Sequence, residues 1–65
     1  MMIKDILHRL KDGTEINAFY VNEDGERVAV YTDLEGKAPA FVRNADVYKI
    51  AVSDSGVLLV EVEEP

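Results

Sequence analysis

The sequence predicts an α+β domain, with an N-terminal helix packed on a four- to five-stranded antiparallel sheet built of two hairpins. Three observations predict it. An apolar stripe at helical spacing opens the chain, and two later segments alternate in polarity around glycine-containing turns. In addition, each of those segments folds back on itself in a register that matches apolar residues with apolar residues. A sheet solvated or sparsely covered on one side suits such alternation. A small curled barrel is the alternative arrangement of the same strands.

The helix is expected over residues 1–12. Ile3, Ile6, Leu7 and Leu10 fall at i, i+3, i+4 and i+7 and form one apolar stripe. Asp5 and Arg9 stand four apart with the acid first, and Arg9 and Lys11 suit the negative end of a helix that stops at Gly13. A helix this short does not persist alone in water, so it must dock on the sheet. His8, the one histidine, is expected on its solvated side.

Residues 15–32 read as the first hairpin, turning at Asp24-Gly25 through a two-residue type I′ connection. That loop pairs Asn22 with Arg27, Val21 with Val28, Tyr20 with Ala29, Phe19 with Val30 and Ala18 with Tyr31. Phe19, Val21, Val28 and Val30 then share the core face. Ala18, Tyr20, Ala29 and Tyr31 share the other, where two tyrosines beside small residues offer either ordinary sheet packing or a contact patch. Glu23 opposite Glu26 is a mild electrostatic penalty of this register.

Residues 33–46 carry the weakest pattern. Leu34-Glu35-Gly36-Lys37 reads as a turn and residues 38–42 as a short strand, placed at a sheet edge because Pro39 has no amide donor. Asn44-Ala45-Asp46 is a second break. A helix after Asn44 also fits the spacing of Val47, Ile50 and Ala51, but β-branched content favours a strand.

The second hairpin, residues 47–63, has a testable register. With Asp54-Ser55-Gly56 as a three-residue loop, Ser53 faces Val57, and Val52–Leu58, Ile50–Val60 and Tyr48–Val62 pair on one apolar face. Lys49 meets Glu61 on the opposite face. Glu63-Glu64-Pro65 is expected to fray.

Residues 1–65 make one domain with a small core and modest stability. Without cysteine, neither a disulfide framework nor a thiolate metal site supports it. Neither a membrane-length apolar run nor a signal-peptide pattern is visible, so a cytoplasmic protein without membrane contact is expected. Thirteen Asp and Glu against seven Lys and Arg leave a net charge of −6. Such a charge suits solubility or steering toward a basic partner, and argues against direct nucleic-acid binding, which needs cations.

An enzyme requires a nucleophile, a tuned acid–base pair, a metal or a cofactor. One histidine, no cysteine and no glycine-rich phosphate loop leave only carboxylates, so neither catalysis nor a cofactor is expected. Asn22-Glu23-Asp24-Gly25 lacks the ligand spacing and terminal glutamate of a calcium loop. A sheet of this size does not readily enclose a small-molecule pocket.

Binding through a surface remains. The acidic residues gather in three places: Glu23, Asp24 and Glu26 at the first hairpin tip, Asp33 and Glu35 around the next turn, and Glu61, Glu63 and Glu64 at the C-terminus. Solvated turns account for such clusters. If they converge in space, they form an anionic strip able to enter a nucleic-acid-binding groove. The candidate partner-binding residues are therefore Glu23, Asp24, Glu26, Asp33, Glu35, Glu61 and Glu63, with Tyr20 and Tyr31 on the adjoining face.

A short, acidic, cysteine-free α+β chain with Glu23-Asp24-Gly25-Glu26 and Glu61-Val62-Glu63-Glu64 resembles the small phage-encoded inhibitors of bacterial defence, the anti-CRISPR and antirestriction proteins. The resemblance covers the whole chain and lies in size and charge. It implies a non-enzymatic DNA mimic in the bacterial cytoplasm that occupies the DNA-recognition subunit of a CRISPR effector, as a monomer or weak homodimer. The alternative is a structural or self-assembling module that pairs through a sheet edge or the tyrosine face.

Overall fold

The computed structural model describes residues 1–64; of the C-terminal tail expected to fray, Pro65 lies outside them. A four-stranded sheet, in spatial order β2-β1-β4-β3, carries short helices on one face. The strands are β1 (Glu15–Val21), β2 (Arg27–Leu34), β3 (Val47–Val52) and β4 (Leu58–Val62). Each consecutive pair forms an antiparallel hairpin, but the hairpins join through β1 and β4, which run parallel. The sheet is therefore mixed rather than purely antiparallel. A parallel join requires a long connection between its strands; here it runs through both outer strands, and residues 35–46 carry it across the sheet from β2 to β3.

The β3–β4 hairpin keeps the expected register from Val52–Leu58 to Lys49–Glu61, closed by Ser53 N–H donating to the Val57 carbonyl at 2.9 Å. Gly56, at φ 85°, supplies the left-handed residue of the three-residue loop. Beyond Lys49 a bulge intervenes: Val47, not Tyr48, pairs with Val62, and Tyr48 is the extra residue.

The first hairpin departs further. Its loop holds three residues, Glu23-Asp24-Gly25, with Gly25 at φ 80° and Asn22 N–H donating to the Glu26 carbonyl at 2.9 Å. Asn22 Oδ1 accepts the backbone N–H groups of Asp24 and Glu26, both at 3.0 Å, which holds this loop rather than the two-residue one. Val21 consequently pairs with Arg27, Tyr20 with Val28 and Phe19 with Ala29. A bulge between Ala18 and Phe19 restores the expected Ala18–Tyr31 pair.

A one-residue shift exchanges faces. In β1 the residues beneath the helices are Ile16, Ala18 and Tyr20 rather than Phe19 and Val21, while Val30 of β2 packs inward as expected. Phe19 is buried nonetheless, on the far face, where the Arg27 guanidinium carbon sits 4.6 Å from its ring centroid.

The helical layer is shorter than expected at the N-terminus. The first helix, α1, spans only Lys4–Leu7, and three-residue turns carry the chain on to Leu10. Before it, Met1 and Met2 run alongside Asp46 and Val47, and Ile3, already helical in its backbone, donates its N–H to the Ala45 carbonyl at 3.0 Å. The apolar stripe still faces inward: Ile3 and Leu7 are buried, and Ile6 and Leu10 pack against the core.

Residues 38–42 do not form the expected strand. After a 3₁₀ turn at Glu35–Lys37, the second helix, α2, spans Ala40–Arg43, with Pro39 at the position before it. Proline fixes its own φ and loses no helical bond there, and the short helix buries Val42 completely.

Candidate functional site

The parallel pairing decides where the acidic clusters lie. Because β1 and β4 run in the same direction, the loop after β1 and the tail after β4 emerge at the same end of the sheet. Glu23, Asp24 and Glu26 stand on one strand exit, and Glu61, Glu63 and Glu64 on the next. Asp46 joins them, since Glu63 N–H donates to its carbonyl at 3.0 Å just before β3 begins. Two of the three clusters thus share one end of the sheet, with Arg27 and Lys49 the nearby cations.

The third cluster does not join. Asp33 and Glu35 lie at the other end of the eight-residue β2, about 20 Å from the tip at roughly 3.3 Å per residue. That exceeds a Debye length of about 8 Å at physiological salt, so the two ends act as separate electrostatic surfaces. Next to this cluster, the Tyr31 hydroxyl donates to the Leu34 carbonyl at 2.8 Å. Partial desolvation, then the Asp33 and Glu35 carboxylates, push the Tyr31 phenol above its ordinary value.

Tyr20 and Tyr31 occupy the face covered by the helices, half-buried against the core cluster. They do not adjoin Glu61, which pairs with Phe19 and Lys49 and so lies on the opposite face. The tyrosine exposed at the acidic end is Tyr48, 64% accessible because the bulge turns it out of the ladder. Its ring centroid lies 5.7 Å from Lys49 Nζ. A shallow depression of about 320 Å³ opens there between Val21, Tyr48, Glu61, Glu63 and Glu64. Tyr48 in a bulge has no local sequence signal, since alternation alone places it in the apolar face of β3.

Among the described residues, no group of three or more His, Asp or Glu side chains is placed to hold a metal ion, and no helix is long and apolar enough to cross a membrane. A further surface depression, of about 440 Å³, lies between the 11–15 loop and the β3–β4 turn, lined by Lys11, Asp12, Glu15 and Ser55. Comparison with protein-family models, curated proteins and solved structures gives no match.

Proposed function

We propose that this chain is a non-enzymatic binding protein whose acidic sheet end docks in a basic, nucleic-acid-recognising groove, as a DNA-mimicking inhibitor of the anti-CRISPR type does. The observation that supports it is the β1–β4 parallel pairing, which places the carboxylates of residues 23–26 and 61–64 at one end. Anionic groups on adjacent strand exits offer a cationic groove the kind of charge that phosphates offer. Tyr48 and Val21, exposed in the same region, supply apolar contact area for an anchor at the centre of the interface.

The test is capture from a bacterial lysate on the immobilised chain, at low and high salt, followed by elution with duplex DNA. The expected partner is a nucleic-acid-binding protein that duplex DNA displaces and high salt releases. Capture indifferent to both DNA and salt, or no capture, overturns the proposal.

A further inference from the structure

The pairing of β3 with β4 determines which of its backbone groups are spare. Ser53 and Val57 form a hydrogen-bonded pair, so the alternation of an antiparallel ladder makes Ala51–Leu59 and Lys49–Glu61 hydrogen-bonded pairs too. Ile50 and Val52 therefore direct their N–H and C=O groups away from β4, along the outer edge of the sheet. Upstream this edge is covered, because Val47 N–H donates to the Met1 carbonyl at 2.7 Å and Met2 bridges Asp46. Downstream it ends at the Asp54-Ser55-Gly56 loop. The free edge is thus residues 48–53.

That stretch is apolar and uncovered. Ile50 is 43% and Val52 68% accessible, although both lie on the core face opposite the buried Val60 and Leu58. Lys49 and the bulge at Tyr48 guard its upstream end, but residues 50–53 carry neither proline nor charge to keep the edge from pairing. Charge selects the occupant. Residues 47–53 carry Lys49 alone in a chain of net −6, whereas the other edge, β2, contains Asp33 between Glu26 and Glu35. A second copy of this acidic chain approaches β3 without carboxylate opposing carboxylate.

Register follows from the same pairing. Pairing Ile50 with its own equivalent sets Asp46 against Asp54 and runs into the N-terminal bridge. Pairing Val52 with its own equivalent sets Asp54 against Ile50. Matching Ile50 to Val52 of the second copy avoids both: Lys49 meets Ser53, and Ala51 meets its own equivalent. We infer that the β3 edge pairs antiparallel with a second copy of this chain about a twofold axis at Ala51, joining the two sheets into one. The inference does not rest on the acidic end, although Tyr48 borders both surfaces. A contact confined to so short a strand stays under the roughly 1,200 Å² of standard interfaces, so the dimer dissociates in about the micromolar range or above.

Cysteine cross-linking reads the register directly, because the chain has no cysteine of its own. Across the axis, position 51 forms a non-hydrogen-bonded pair with Cα atoms about 4.5 Å apart, within the ~4.4–6.8 Å range of disulfides. Ala51→Cys is expected to form a covalent dimer on mild oxidation, while Ile50→Cys and Val52→Cys, each offset from its own equivalent, cross-link several-fold less. Circular dichroism verifies that each variant is folded. Sedimentation of the unmodified chain should show a monomer–dimer equilibrium that Val52→Lys weakens about tenfold. A chain that stays monomeric to about millimolar concentration, or faster cross-linking at position 50 or 52 than at 51, overturns the inference.

Discussion

Ala18 of β1 and Val60 of β4 lie side by side in the parallel pairing at the centre of the sheet, and neither exposes any surface. The contact joins the two hairpins beneath the helices, which pack Ile3 and Val42 into the same cluster.

This position separates two valines that alternation treats alike. Val60 and Val52 share one face of β3–β4, but Val60 is covered and Val52 is 68% accessible. Val60→Ala is expected to cost about 2 kcal/mol or more through lost transfer energy and a cavity. A chain of this length holds about 3–10 kcal/mol in total, so much of its stability goes. Val52→Ala, measured where the chain is monomeric, is expected to stay within about 0.5 kcal/mol. Urea unfolding of both variants distinguishes them.

How far the fold was legible follows the same division between local and distant contacts. The β3–β4 register was legible through Lys49–Glu61 because loop chemistry and cross-strand matching are both local. The β1–β4 pairing was not, since strands distant in sequence leave no pattern at either one. The first hairpin misled through a single atom: Asn22 Oδ1 holds a three-residue loop, and the resulting shift turned Phe19 outward and Tyr20 inward. Residues 40–43 form a helix that buries Val42 against the sheet, a tertiary contact that β propensity does not anticipate. The acidic clusters were visible as sequence, but which of them meet depended on the unread parallel pairing.

The two hairpin loops use one device, a left-handed glycine three residues after a side chain that caps the loop. Asn22 Oδ1 accepts two N–H groups before Gly25, and Ser53 Oγ accepts the Val57 N–H at 3.1 Å around Gly56. Gly25→Ala and Gly56→Ala are each expected to cost about 1–2 kcal/mol, because φ of 80° and 85° crowds a Cβ against the backbone. Gly36 has no positive φ, and an added Cβ meets nothing within 4 Å. Gly36→Ala is therefore expected to be neutral or to stabilise by up to about 1 kcal/mol, through lower unfolded-state entropy. Thermal unfolding of the three variants reads the contrast.

Tyr31 makes a prediction at alkaline pH. Its phenol lies above the ordinary 10.0, raised by desolvation first and by Asp33 and Glu35 next. The fold thus favours the protonated form. Its stabilising contribution is complete below pH 10.0 and is lost as pH rises through the higher folded value. Phenolate absorbance of the native chain, compared with Tyr31→Phe, should show a missing component that titrates above 10.0. Asp33→Asn with Glu35→Gln should move that component down. A component at or below the ordinary value would contradict this electrostatic account.

The acidic tip can be tested apart from the fold that carries it. The loop is held by Gly25 and by Asn22 Oδ1 bonding to backbone groups, so the carboxylates of Glu23, Asp24 and Glu26 are absent from its hydrogen bonds. Replacing all three with lysine is expected to leave stability within about 0.5 kcal/mol per position, as for other surface sites. The same variant should lose a DNA-displaceable partner, and Asp24→Asn alone should reduce binding least. Glu61 needs a gentler change, because it is half-buried opposite Lys49; Glu61→Gln with Glu63→Gln removes charge without placing a cation against that lysine. If the tip and the tail act as one surface, both variants weaken the same partner, and each reduces the salt dependence of what binding remains. Should the tip variant retain full affinity while the tail variant loses it, the contact centres on Tyr48 and the tail. Full affinity in both, with folding intact, rules out the acidic end as the binding surface.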